Sequence, residues 1–326
     1  MQNDEIYQSG DIRPSRLAAS SFFLLMEIGL FALLILSAVF QLHGKLREWQ
    51  TMFMNISMAY YALFVLLPIL LYCRRRPGIE TAMRIVPARS KHLALAALAA
   101  VVGLFLLNNI ATLWMMGIQA LGGKLSAPSP TIGEGYAALV VALIGMALTP
   151  AVCEELLFRG VMLGAYEENG TLRAGVWISL CFALSHASVE GFLAQFLVGL
   201  VLIYLAVNTG SVVVSMVYHF VHNALTVIVS YVTRARFDPN VDLYHELGGM
   251  AGLLMMLIQL AVGGLLFYVL MLGISSDREQ EALPFGVERP ALIDRGDWRD
   301  KLVMMAALVT AGAMMLVNLS YTIGVF

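Results

Sequence analysis

The chain has 326 residues, of which 60% are hydrophobic and 13% are charged, whereas roughly a quarter of the residues of an average soluble protein are charged. Water therefore cannot be the main solvent of this chain, and the composition predicts a membrane protein. The formal net charge of -2 selects no class of partner.

Apolar runs long enough to cross a bilayer recur along the chain, since a hydrocarbon core of about 30 Å requires about 20 apolar residues in a helix. Seven runs meet this requirement, over residues 17–39, 52–73, 93–121, 136–152, 211–232, 250–274 and 302–326. Two shorter apolar pieces, at 174–187 and 192–207, count as two further spans because residues 188–191 divide them. We therefore predict an all-α fold, a polytopic transmembrane helical bundle of eight to nine spans with nine preferred, as a single membrane domain over residues 1–326.

The distribution of basic residues favours nine alternating spans with the N-terminus inside, because Lys and Arg concentrate in cytoplasmic loops. In this arrangement five of the 20 basic residues lie outside, which leaves 15 inside. The outer five are Lys45, Arg47, Lys124, Arg234 and Arg236. The N-terminal segment is polar and carries no signal-peptide pattern, so the first span is expected to be retained. We predict an integral, multi-pass membrane protein, in the cytoplasmic membrane if the source is bacterial.

Few ionisable residues fall inside these spans, and each is a functional hypothesis because a charge there costs about 2.5–3.5 kcal/mol on insertion scales. They are Glu27, Glu154, Glu155, Arg159, His186, His219 and His222, joined by the amide of Asn223. All but Glu27 lie within one stretch of about 70 residues.

The acidic pair of the fourth span has two distinct predicted roles. Residues four apart share a helix face whereas adjacent residues diverge, so Arg159 is expected to pair with Glu155. Glu154 then points to another face without a local counter-ion, where it could transfer protons. Pro150 cannot donate a backbone hydrogen bond and is expected to kink the helix and open space for water. The alternative is an ion pair that only anchors a helix end at the inner membrane surface.

Two further motifs repeat the four-residue spacing, Phe182 with His186 and His219 with Asn223. A single histidine in an apolar helix is more often a packed core residue than a functional one. Three ordered motifs on separate spans of an apolar chain favour a shared site.

Hydrolysis of a peptide bond needs a water, a base and donors for the oxyanion. Glu154 fits the base, and Asn223 can donate to the oxyanion. His186 and His219 could orient the water or the substrate, stabilise charge, or hold a divalent metal such as zinc together with Glu154. The sequence has no H-E-x-x-H motif, no G-x-S-x-G motif and no Asp in an apolar span, which excludes a zincin, a serine nucleophile of that motif and an aspartyl dyad.

The three motifs, Glu154-Glu155-x-x-x-Arg159, Phe182-x-x-x-His186 and His219-x-x-x-Asn223, resemble the CPBP family of CAAX proteases and bacteriocin-processing enzymes, or Abi family. That family includes the Ras-converting prenyl-protein endopeptidase, and the resemblance covers residues of about 140–230, the expected catalytic core.

The resemblance implies an intramembrane peptidase with a site that opens towards the cytosol. Glu154 would be the water-activating base, His186 and His219 its catalytic partners, and Asn223 the oxyanion donor. Glu155, Arg159 and Phe182 match supporting positions. The family is described both as metal-dependent and as a glutamate-type protease, so a divalent metal on Glu154, His186 and His219 stays open. His222 and Glu27 fall outside the pattern and are expected to pack or support.

The predicted function is an endopeptidase that acts on a CAAX-type prenylated protein or on a small membrane or secreted peptide. Its expected partners are that substrate and the lipid bilayer, and nucleic acid is not among them. Two alternatives are a non-proteolytic immunity or binding protein on the same scaffold and a proton-coupled transporter. The intact motif residues count against the first, and the absence of an evident inverted repeat counts against the second.

Overall fold

The computed structural model describes residues 13–44, 52, 55–125, 132–233, 242–275 and 297–322. Within these ranges the long elements are all helices and no strand occurs, which confirms the predicted all-α fold. The long helices are α1 Arg16–Leu42, α2 Asn55–Arg74, α3 Ser90–Ala120, α4 Tyr136–Tyr166, α5 Thr171–Ser185, α6 Phe192–Thr209, α7 Val212–Thr233, α8 Gly249–Ser275 and α9 Trp298–Thr322. Shorter helices are Ile79–Ala82, Glu167–Asn169 and Leu243–Glu246.

Eight of these helices are long and apolar enough to cross a membrane, and α5 is the exception. With 15 residues, α5 extends only about 22 Å, less than the roughly 30 Å of a hydrocarbon core. By helix length alone the described residues thus contain eight membrane spans, the lower of the two predicted counts. The connection at 276–296, four of the five outer basic residues (Lys45, Arg47, Arg234 and Arg236) and the end of the predicted last span lie outside the described residues.

One end of the bundle is formed by the start of α1 and by the connections that follow α2, α4 and α6; we call it the basic end. Arg13 of the N-terminal segment lies 3.4 Å from Glu168, and Arg84 lies 2.5 Å from Glu167. The backbone N–H of Val212 donates to the Arg84 carbonyl at 2.9 Å. These contacts bring the starts of α1, α3, α5 and α7 to the same end.

The connections that follow α3, α5 and α7 meet the last turns of α3 and α9 at the opposite end. Three hydrogen bonds join them: Lys124 N to Thr322 O at 2.6 Å, Val189 N to Asn318 Oδ1 at 2.8 Å, and Leu243 N to Gln119 Oε1 at 3.3 Å. The described long helices therefore alternate in direction along the chain, and α5 reverses direction like the others.

Helix α4 is irregular where it carries the acidic pair. An α-helical segment, Thr149–Glu155, lies between two π-helical segments, Leu143–Leu148 and Leu156–Met162. Short π-helical segments are rare in proteins, and those that occur frequently lie at functional sites. The turns are therefore wider on both sides of the segment that contains Pro150 and the acidic pair, and the kink and the space for water expected at Pro150 stay predictions.

Helices α5 and α6 pack at close range through small residues. A methyl group added to Gly199 would lie 2.8 Å from Cβ and 3.0 Å from Cα of Ser179. A methyl group on Gly175 would lie 2.8 Å from Ile203. The backbone of α6 therefore lies directly against α5, and this proximity positions the Gly199 carbonyl for the contact described next.

Candidate active site

The predicted ion pair of α4 is present and fully buried. Arg159 donates from Nη1 to Oε1 of Glu155 at 2.9 Å, and both side chains have 0% exposure. Its Nη2 donates to the carbonyl of Gly199 on α6 at 3.1 Å. A buried charge is stable only when it is paired and hydrogen-bonded. The pair therefore ties α4 to α6 and is not a helix anchor at the membrane surface.

The imidazole of His219 reaches the same carboxylate from α7. Its Nδ1 lies 2.9 Å from Oε1 of Glu155. Because a carboxylate paired with arginine only accepts hydrogen bonds, Nδ1 carries the hydrogen and donates it. This bond fixes the ring orientation and leaves Nε2 to face the rest of the site.

The Nε2 atom of His219 faces Glu154, whose Oε2 lies 3.9 Å away. The other oxygen, Oε1, accepts a hydrogen bond from the hydroxyl of Tyr61 on α2. Oε2 is buried and has no hydrogen-bond partner among the described residues. One water can hydrogen-bond both Oε2 and Nε2 at this separation, because each bond needs about 2.8 Å.

Phe182 contacts both of the predicted catalytic histidines. Its ring centroid is 4.7 Å from that of His186 and 6.0 Å from that of His219. The Arg159 guanidinium carbon lies 4.6 Å from the same ring centroid, within cation–π range. The buried phenylalanine therefore joins α4, α5 and α7 at the site.

His186 follows the last residue of α5 and is exposed, unlike Glu154 and His219. Its Nδ1 donates to the Phe182 carbonyl at 2.7 Å, so a contact with substrate must come from Nε2. The connection after His186 is fixed from two sides. Trp114 donates to the Val189 carbonyl at 2.8 Å, and the N–H of Val189 donates to Asn318 as described above.

Asn223 compensates for the proline of α4. Pro150 has no N–H to donate to the carbonyl of Met146 four residues earlier. Asn223 donates from Nδ2 to that carbonyl at 3.2 Å. One of its two amide hydrogens is thereby used, and the second is left for another acceptor.

The predicted metal ligands do not converge as a set. Among the described residues, no group of three or more His, Cys, Asp and Glu side chains is close enough to hold a metal ion. Glu154 and His219 face each other, but His186 is not within ion-pair distance of Glu154 in the described structure. This arrangement does not fit a three-ligand site, and a metal requirement stays a prediction.

Three contacts of the site were not predicted from the sequence: Tyr61 with Glu154, His219 with Glu155, and Asn318 with Val189. A tyrosine within α2 and an asparagine near the end of α9 carry no spacing signal, so periodicity could not identify them. The two residues outside the motifs pack as expected. His222 stacks on Tyr218 with centroids 6.1 Å apart, and Glu27 is fully buried.

The described chain is a multi-pass helical membrane protein in which Glu154, Glu155 and His219 form a buried cluster. Residues 136–225 match the family model described as Rce1-like, type II CAAX prenyl endopeptidase. The match contains Glu154, His186, His219 and Asn223, and it confirms the family that the three motifs indicate. Comparisons with curated proteins and with solved structures gave no match. The family supports a protease, and together with eight apolar helices it supports an integral membrane protein.

Proposed function

We propose that this protein is an intramembrane endopeptidase in which Glu154 activates the attacking water. The observation that carries the proposal is the gap between Oε2 of Glu154 and Nε2 of His219. Oε2 is buried and has no partner among the described side chains, and Nε2 lies 3.9 Å away on a ring that Glu155 holds in place. An oriented base beside an oriented acceptor is the arrangement that a reacting water requires.

In the proposed reaction a water lies between these two atoms and attacks the carbonyl carbon of the substrate. Glu154 takes one proton as the new C–O bond forms, and His219 Nε2 accepts a hydrogen bond from the other hydrogen. The carbonyl electrons move to oxygen, where the second amide hydrogen of Asn223 would stabilise the negative charge. Collapse breaks the C–N bond, and the leaving amine takes the proton from Glu154. The products are a carboxylic acid and an amine.

The proposed substrate is the C-terminal segment of a CAAX-type prenylated protein, because the matching family model describes prenyl endopeptidases. A small membrane or secreted peptide is the second substrate class. A prenyl group holds a peptide at the bilayer, where a site between apolar helices can accept it. His186 is the exposed member of the site and would contact the substrate through Nε2.

The test uses purified protein in lipid vesicles, a farnesylated peptide that ends in a CAAX sequence, and mass spectrometry of the products. Glu154→Gln is expected to reduce kcat by at least about 10²-fold, since it removes a general base. Glu27→Gln is the matched control because it changes another buried carboxyl that lies outside the three motifs, and it is expected to keep activity. A fully active Glu154→Gln would exclude the assigned base.

Two further experiments test the substrate class and the metal requirement. If the prenylated peptide is not cut, membrane and secreted peptides are compared between cells that express the wild type and cells that express Glu154→Gln. Dialysis against a chelator, with metal content measured, is expected to leave the rate unchanged. Only two of the three predicted ligands, Glu154 and His219, face each other, which is too few for the predicted metal site. Loss of activity that is restored by zinc would instead indicate a metal site in which His186 joins Glu154 and His219.

A further inference from the structure

Tyr61 is the contact of Glu154 that neither the three motifs nor the family segment at 136–225 includes. It lies on α2, at the first residue of the π-helical segment Tyr61–Leu66. Its hydroxyl donates to Oε1 of Glu154 across 93 residues of sequence. The second span therefore contributes a polar group to a site that otherwise draws on α4, α5 and α7.

This hydrogen bond distinguishes the two carboxylate oxygens of Glu154. Oε1 is occupied by Tyr61, whereas Oε2 has no partner among the described side chains and faces His219. The last torsion of a glutamate side chain is broad and roughly two-fold, so an unrestrained carboxylate would rotate and exchange its oxygens. A hydrogen bond to one oxygen restricts that rotation and keeps the other oxygen directed at His219.

We propose that Tyr61 is a positioning residue for the peptidase reaction, which holds the Glu154 carboxylate so that Oε2 meets the water. This inference rests on the proposed function, because it concerns the same base. Tyr61 itself transfers no proton and forms no bond to the substrate. Its contribution is the orientation of Glu154, which is expected to affect the chemical step more than substrate binding.

The neighbouring residue provides a matched control. Tyr60 donates its hydroxyl to the backbone carbonyl of Met26 on α1 at 3.2 Å, and its ring centroid lies 4.8 Å from that of Tyr61. Tyr60→Phe therefore removes one phenolic hydrogen bond from the same helix turn without changing the contact with Glu154. A general loosening of α2 would affect both variants alike.

The experiment measures kcat, KM and thermal unfolding of Tyr61→Phe and Tyr60→Phe with the farnesylated peptide. Tyr61→Phe is expected to lower kcat by about 10- to 100-fold, the range for a hydrogen bond to a charged group, with KM nearly unchanged. Tyr60→Phe is expected to keep both constants within about two-fold. A Tyr61→Phe protein with the wild-type kcat, or a loss that Tyr60→Phe shares, would overturn the proposal.

The outcome also separates this inference from the proposed function. If Glu154→Gln is inactive and Tyr61→Phe is fully active, the function stands and the positioning role fails. If the wild type cleaves nothing, both fail together. Thermal unfolding of Tyr61→Phe, Glu154→Ala and the double variant gives an answer without activity, because Glu154→Ala removes the oxygen that accepts from Tyr61. A double variant that loses less Tm than the sum of the single variants supports the contact, and additive losses contradict it.

Discussion

At the scale of single residues, Glu155 is the carboxylate on which two other side chains depend. Its Oε1 accepts from Arg159 at 2.9 Å and from Nδ1 of His219 at 2.9 Å. Arg159 also reaches the Gly199 carbonyl, so that one cation satisfies acceptors on two helices. His219, the proposed catalytic histidine, is therefore oriented by a carboxylate whose charge is itself neutralised by a neighbour one helical turn away.

Replacement of Arg159 tests this dependence. Arg159→Ala leaves a buried carboxylate without its cation, a change that typically costs about 3–5 kcal/mol. We expect a lower Tm in detergent and a large loss of peptidase activity, because His219 loses a fixed partner. Thermal unfolding and the peptide assay measure the two effects.

Arg173→Ala is the matched control, since it removes the same charge from an exposed position at the start of α5. It is expected to change stability by less than about 0.5 kcal/mol. Equal Tm values for Arg159→Ala and Arg173→Ala would contradict a supporting role for the buried pair.

The sequence could predict some of these contacts and not others for a physical reason. Glu155 with Arg159 and Phe182 with His186 are neighbours on one helix, where four-residue spacing determines proximity. Glu155 with His219 and Glu154 with Tyr61 join residues that are 64 and 93 positions apart. Such contacts depend on how helices pack, which the spacing within one helix does not determine.

At the scale of helices, the close packing of α5 on α6 supports the site because it fixes the position of Gly199, whose carbonyl contacts Arg159. Gly199 has no room for a side chain against Ser179, and its carbonyl accepts from Arg159. The same residue thus sets the distance between two helices and provides a second hydrogen-bond acceptor for the buried cation. The proline of α4 has a comparable effect, because it leaves the Met146 carbonyl to Asn223.

Gly199→Ala is expected to separate α5 from α6, because the added methyl group would meet the backbone-linked atoms of Ser179 at 2.8–3.0 Å. Overpacking of this kind costs about 1–3 kcal/mol. We predict a reduced Tm and reduced activity, measured by thermal unfolding and by the peptide assay. The comparison variant is Gly263→Ala in α8, where nothing lies within 4 Å of the added methyl group. It is expected to keep activity, and a Gly199→Ala protein that behaves like it would refute the packing argument.

At the scale of the whole molecule, composition and the lengths of apolar runs predicted the fold class and most helix positions. The lengths of the apolar runs did not determine the number of crossings at residues 174–187 and 192–207, where two short apolar pieces lie. Helix α5 has 15 residues, so its length alone does not identify a membrane crossing. Its direction is nevertheless clear from contacts that only the folded chain reveals, with Glu167 and Arg84 at one end and Val189 and Asn318 at the other.

The alternation of the helices predicts on which side of the membrane each connection lies. Five helices, α3 to α7, separate Arg76 from Glu246, and an odd number of crossings places these exposed residues on opposite sides. If α5 did not cross, four crossings would return both to the same side. The accessibility of these two positions therefore distinguishes nine alternating passes from eight.

Single cysteines at Arg76→Cys and Glu246→Cys, in a chain that also carries Cys73→Ser, can be labelled in intact cells with an impermeant maleimide. Cys153 and Cys181 are buried and can remain. We expect Glu246→Cys to be labelled in intact cells and Arg76→Cys only after the membrane is permeabilised, because Lys and Arg favour the cytoplasmic side and the Arg76 end is basic. Labelling of both positions from one side would contradict a crossing by α5, and it would leave His186 at the end of a helix that enters the membrane without traversing it.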